Sequence, residues 1–149
     1  MSEEHRIQQV LARYARAVNR RDGATLALLF DADGTVDIAW NNSGTPEAFL
    51  TLTGRQEIAD AVTNKAFPPG ARGRALIHGH IVDIDGERAT VEALFEEFVV
   101  LPGDASAAPR TTIEESGEYR STLHHTAGQW KLVHHQVVLD TNPLRDQAG

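Results

Sequence analysis

Apolar residues along this chain follow two different periods, and the change between them divides the sequence. Over residues 3–21 they recur at spacings of three and four: Ile7, Val10, Leu11, Tyr14, Ala17 and Val18 form one stripe. That spacing predicts an amphipathic helix with Arg13, Arg16 and Arg20 on the opposite side. Tyr14 sits near the middle of the stripe and Asn19 toward its edge. Asp22-Gly23 breaks the helix, and Asp22 is a suitable N-cap for a short second helix over residues 24–30, buried through Leu26, Leu29 and Phe30. Residues 31–34 read as a turn. Residues 35–40 then alternate as a strand, with Val36, Ile38 and Trp40 on one face and Asp37 and Ala39 on the other. Residues 41–46 have loop composition, and residues 47–52 fit either a short strand or a helical turn. Thr53-Gly54-Arg55-Gln56 fits a capping box for a third helix running to about Lys65 on Ile58, Ala61 and Val62. Phe67-Pro68-Pro69-Gly70 stops it.

Beyond residue 70 the period becomes two. Residues 74–84 read as a strand, and strict alternation places Leu76, His78, His80, Val82 and Ile84 on one side. An apolar wall carrying an imidazole is a candidate acid–base site, because histidine titrates near neutrality. Asp85-Gly86-Glu87 joins this strand to residues 88–101 as a hairpin, and residues 102–109 form a Gly/Ala/Pro loop. Residues 112–125 and 129–139 make a second hairpin around Ala127-Gly128, and residues 141–149 read as a frayed tail. Helices first and long strands after them imply one α+β domain spanning residues 1–149. A long sheet curled against helices, as a cone-shaped α+β barrel, would enclose a small-molecule pocket on its concave face.

Composition narrows the function. The 149 residues are 41% hydrophobic and 23% charged, as in ordinary folded domains. There is no cysteine, which excludes disulfides, thiolate metal sites and a cysteine nucleophile. The net charge is −7 and the basic residues are scattered, so neither nucleic acid nor an anionic membrane is an expected partner. No apolar run reaches the length of a membrane span, and the N-terminus has no apolar signal core; the expectation is a cytoplasmic protein. His78-Gly79-His80 is similar to half of a cupin metal motif, but the glutamate that should follow it and the second histidine motif are missing, so no metal site is expected. His124-His125 and His134-His135 are adjacent pairs, so at most one of each faces a pocket, and the second pair should lie near Arg120 and Ser121. Glu92, Glu96, Glu97, Glu114, Glu115 and Glu118 read mainly as a solvated face, one of them being a possible partner for His78.

The run Arg13-Tyr14-Ala15-Arg16-Ala17-Val18-Asn19-Arg20-Arg21-Asp22, then Leu26, Leu29-Phe30, Asp33 and Thr35-Val36-Asp37, resembles the opening of nuclear transport factor 2-like proteins. Within these it is most similar to the SnoaL-like group, whose late strands resemble Gly117-Glu118-Tyr119 and Gly128-Gln129-Trp130-Lys131-Leu132. The resemblance implies a curved, mostly antiparallel sheet packed against three N-terminal helices. It also implies a cofactor-free lyase, isomerase or cyclase acting on a hydrophobic carbonyl compound such as a polyketide or terpenoid. Mapped onto this chain, His78 takes the acid/base position of the dehydratase branch and Tyr14 the oxyanion donor. Asn19 stands where that branch has the aspartate that orients the histidine; it can accept a ring N–H but cannot stabilise an imidazolium by charge. Ile38 stands where the isomerase branch has its base, with Asp37 one residue off and facing the other way. Ile38, Trp40, His80, Phe95, His134 and His135 are the expected pocket positions. A homo-oligomer, dimer or trimer, is implied by analogy. The fold also hosts non-catalytic ligand-binding and protein-interaction domains, which is the alternative reading.

Overall fold

The computed structural model describes residues 1–142; of the tail expected to fray, residues 143–149 lie outside the described residues. The first helix, α1 (Glu3–Arg20), opens with Ser2 as N-cap, whose Oγ accepts the His5 N–H at 3.1 Å, and with Glu3 and Glu4 in the first turn. It closes on Arg21 in the left-handed region (φ 53°). Its apolar stripe is buried as the periodicity predicts, Ile7 and Leu11 completely. A short α2 (Gly23–Ala27) follows, capped by Asp22, whose carboxylate accepts the Thr25 N–H and Oγ–H. It ends earlier than the apolar pattern suggested, because residues 30–34, read as helix end and turn, already belong to the long strand β1 (Phe30–Asn42).

β1 turns back into β2 (Thr45–Thr53), which settles the ambiguous 47–52 stretch as strand. The third helix, α3 (Gly54–Thr63), is closed at its start by a different device from the expected box. The Thr53 side chain caps nothing; Glu57 Oε2 reaches back to the Thr53 N–H at 2.7 Å, while Gln56 is spent on Asp60. Four long strands complete the chain: β3 (Arg72–Asp85), β4 (Arg88–Leu101), β5 (Arg110–Thr126) and β6 (Gln129–Leu139). The sheet order is β2-β1-β6-β5-β4-β3, antiparallel except where β1 runs parallel to β6. This is a curved six-stranded sheet that stays open. The expected barrel closure does not occur, and β2 and β3 are its edges.

The helices cover one face. On that inner face the register aligns Ile77, Phe95 and Gly117 across β3, β4 and β5, and Val36, His135 and Ser121 across β1, β6 and β5. Each large side chain buried here contributes roughly 1.5–3 kcal/mol. Gly117 is required where it stands, since a Cβ would lie 2.0 Å from the Val138 carbonyl oxygen and 3.1 Å from the Phe95 ring. Helix α1 lies against β3, and no described helix is long and apolar enough to cross a membrane.

Candidate functional site

Between the helices and the inner face lies a cavity of about 270 Å³. That is near the lower end of the range for small-molecule sites. Its walls are aliphatic: Val18 and Leu26 from α1 and α2, Ile58 and Val62 from α3, Val36 and Ile38 from β1, Val137 and Leu139 from β6. Six polar or charged side chains also line it. Tyr14 and Tyr119 form one group; Arg21, Lys65, Glu97 and Glu115 form the other.

Tyr14 is 8% exposed and meets the edge of Tyr119, with ring centroids 5.8 Å apart. Tyr119 in turn stacks flat on Phe95 at 4.3 Å, which fixes the ring. Neither phenol hydroxyl hydrogen-bonds a described residue. Burial raises the pKa of Tyr14, and the negative charge of Glu97 and Glu115 raises it further; burial, Tyr14 and the same two carboxylates raise Tyr119. Both phenols therefore stay protonated and act as hydrogen-bond donors at any ordinary pH.

Glu97 and Glu115 face each other directly across the β4–β5 ladder. Two carboxylates at one inward register position repel, and the molecule answers with a cation. Lys65, in the connector after α3, places Nζ 2.8 Å from Glu97 Oε1. Burial alone would lower the lysine; Glu97's charge and hydrogen bond outweigh it and raise the ammonium above its ordinary value, with smaller help from Glu115 and Glu114. Glu115 makes no hydrogen bond or ion pair with a described residue. Burial raises its carboxyl above the usual range, Lys65 opposes this, and Glu97 and Glu114 add to it. Arg21 completes the charged end, its guanidinium 4.0 Å from the centroid of Phe67.

Of the residues singled out from the sequence, Tyr14, Ile38 and Phe95 line this cavity. His78 does not. The β3–β4 register slips between His78 and Ile81, around Gly79 in the left-handed region (φ 64°), so strict alternation fails there. Ala75 and Ile77 are the inner positions before the slip, Val82 and Ile84 after it. His78 is turned to the outer face opposite Leu94 and lies 2.6 Å from Glu96 Oε2. The carboxylate partner raised as a possibility thus exists, on the wrong side of the sheet for the cavity. His80 sits within the slip, half-buried, with Nε2 unpartnered among the described residues; burial and the neighbouring His78 lower its pKa. Asn19 orients no histidine, because its Oδ1 accepts the Ala75 backbone N–H.

Trp40 packs against the core outside the cavity lining. His134 is on the outer face, 2.7 Å from Asp37 Oδ2, while Thr51 Oγ1 donates to the other oxygen of that carboxylate at 2.6 Å. His135 is fully buried behind the cavity wall, 4.6 Å by ring centroid from both Tyr14 and Tyr119, with Nδ1 2.8 Å from Ser121 Oγ. Among the described residues, no group of three or more His, Asp or Glu side chains is arranged to hold a metal ion.

The charged end escaped the sequence reading, although one signal was present. Ala89, Val91, Ala93, Phe95 and Val99 are buried at alternate positions of β4, and Glu97 occupies the same series. A carboxylate in an inward-facing row needs a reason. Glu115 becomes visible only through the cross-strand register, and Lys65 only through the path of the connector.

The SnoaL-like domain family matches residues 1–136. This chain is a SnoaL-like domain. Solved structures agree on the fold of the domain. A protein of unknown function from Mycobacterium tuberculosis is 26% identical with a TM-score of 0.74, over 99% of this chain and 77% of that one. ActVI-ORFA from Streptomyces coelicolor is 16% identical with a TM-score of 0.72, over 92% and 96%. A candidate scytalone dehydratase from Novosphingobium aromaticivorans is 18% identical with a TM-score of 0.68, over 93% and 85%. Among curated proteins no significant sequence match to this SnoaL-like domain is found.

Proposed function

We propose that this SnoaL-like domain is a cofactor-free acid–base enzyme, a lyase, isomerase or cyclase, that takes a small hydrophobic carbonyl compound into the cavity. The observation that carries the reading is the pair of buried phenols whose hydroxyls have no partner among the described residues, in a mainly aliphatic hollow with one charged end. An unfilled donor in an apolar cavity is costly unless a ligand oxygen completes it, and a carbonyl oxygen is the matching acceptor. As electron density moves onto that oxygen, a donor held in place stabilises the developing charge without reorganising. Tyr14 is the donor this reading assigns, with Tyr119 beside it. A polyketide- or terpenoid-like ring fragment suits the aromatic and aliphatic walls, and the domain is proposed to work as a homo-oligomer.

The reading is tested with 2-tetralone, a compact bicyclic ketone, by following deuterium uptake at its acidic carbon in D₂O by NMR. Exchange above the buffer rate is expected, and Tyr14→Phe should lower it about 10²-fold, the usual loss for one oxyanion donor. Equal rates for wild type and Tyr14→Phe would remove the donor role. A second reading, a non-catalytic ligand-binding domain, is favoured by one observation: His78 and Asn19 are both committed outside the cavity. It predicts binding of 2-naphthol with no exchange of any ketone.

A further inference from the structure

The acid–base reading leaves open which group moves the proton, since the histidine expected to do so lies on the outer face. We propose that Glu115 is that group: its carboxylate takes the acidic C–H proton of a ketone or enone whose oxygen is held by Tyr14, with Lys65–Glu97 as the positioning pair. The proposal rests on the acid–base reading of the cavity and adds the proton carrier to it.

Three observations converge on Glu115. It lines the same cavity as the two phenols, so a ligand seated there meets a donor and a carboxylate together. It is the cross-strand partner of Glu97, and the only cation hydrogen-bonded to either of them among the described residues is spent on Glu97. Glu97 consequently has its cation, whereas Glu115 has no hydrogen-bond or ion-pair partner among the described residues. The second observation that points to a ligand is independent of the carboxylates: Tyr14 is more than nine-tenths buried, and its hydroxyl has no partner among the described residues.

Electrostatics agrees with the geometry. Burial and the neighbouring Glu97 and Glu114 raise the Glu115 carboxyl against the pull of Lys65, which makes it a stronger base than a solvated glutamate. The groups facing it are thus Glu97, Lys65 and Glu114, and its charge reaches Tyr14 and Tyr119.

The step balances without a cofactor. The substrate C–H bond breaks and an O–H bond forms on Glu115. The electron pair left on carbon delocalises onto the carbonyl oxygen, which accepts the Tyr14 hydroxyl hydrogen bond. Return of the proton to a second carbon completes an isomerisation; expulsion of a leaving group from the adjacent carbon completes an elimination.

The test compares wild type, Glu115→Gln and Glu97→Gln for 2-tetralone exchange against pD, with 2-naphthol binding followed by calorimetry. Glu115→Gln should lose at least 10²-fold in exchange while 2-naphthol affinity changes by less than about threefold. Glu97→Gln should move the acidic limb of the rate profile to lower pD, because a negative neighbour disappears and Lys65 is released toward Glu115; a merely structural role would leave that limb in place. Undiminished exchange in Glu115→Gln overturns the assignment and leaves the Tyr14 reading standing. Binding of 2-naphthol without wild-type exchange overturns Glu115 as a base and leaves only a binding cavity, and absence of both overturns the two together. A separate readout needs no turnover. A carboxyl raised by folding loses stability as pH rises through its window, so Glu115→Gln should melt higher than wild type at pH 7, and the gap should close toward pH 4.

Discussion

Tyr14 and His135 sit ring against ring, yet burial acts on them in opposite senses. A phenol is neutral when protonated, so an apolar surrounding keeps its proton on; an imidazole is neutral when deprotonated, so the same surrounding takes its proton off. His135 is pushed down to about 3, by burial first and by the neighbouring His134 second. Unfolded, it would titrate near 6.5, so below that pH the unfolded chain binds a proton that the folded protein refuses. The resulting stability is present in full above about 6.5 and is lost as pH falls toward 3, at about 1.4 kcal/mol per pH unit. Urea unfolding at a series of pH values should show this slope in wild type. His135→Phe should flatten it, since a ring of similar size carries no proton. Ser121 Oγ then loses its partner, so the variant should also be less stable at pH 7 by about 1–3 kcal/mol.

The elements were readable wherever one face is buried and the period is regular. The α1 stripe, the two late hairpins and the start of α3 all follow from spacing, because burial enforces 3.6 in a helix and two in a strand. Two kinds of feature were not. The first is a change of phase inside an element: Gly79 allows one extra residue into β3, so alternation carried through it puts Leu76 and His78 on the wrong face while Val82 and Ile84 stay inward. The second is a strand with little burial to mark it. β2 lies at the sheet edge, with no fully buried residue, so nothing distinguished it from a helical turn. The site follows the same division. Tyr14, Ile38 and Phe95 were found on regular elements, whereas Glu115 and Lys65 depend on register and connector path. Asn19 shows what an edge requires. Among the described residues β3 pairs only with β4, and the Asn19 side-chain oxygen accepts the Ala75 N–H that no described strand receives. Asn19→Ala should therefore cost about 1–3 kcal/mol in urea unfolding and speed hydrogen exchange at the Ala75 amide, whereas Asn19→Asp, which keeps the acceptor, should retain most of the protection.

At the scale of the whole molecule, the helices among the described residues cover one face of the sheet and leave the other open. The other face carries Leu76, Leu94 and Ile113, exposed to 52%, 45% and 63%, with Ile81 at 67% beside them. Single exposed apolar residues are ordinary; several on one face of an acidic chain are less so. Some of the polar residues among them are paired with each other, His78 with Glu96 and Arg120 with Glu118, so covering the face would bury those groups already satisfied. Strands β3, β4, β5 and β6, of 14, 14, 17 and 11 residues, lie about 4.8 Å apart and rise about 3.3 Å per residue, so they present roughly 19 by 45 Å. That is roughly 850 Å² per partner, close to the size of a standard stable interface. The proposed homo-oligomer should therefore form through this face, and light scattering should return two or three times the 16.3 kDa of one chain at micromolar concentration. Leu94→Lys is the decisive substitution. Its side chain points to solvent in the single chain, so folding stability should change by no more than about 0.5 kcal/mol, while two copies could not pair without burying the new charge. A monomeric Leu94→Lys with unchanged melting places the contact here. An unchanged mass would move it to the β2 edge of the sheet, which self-pairing would extend.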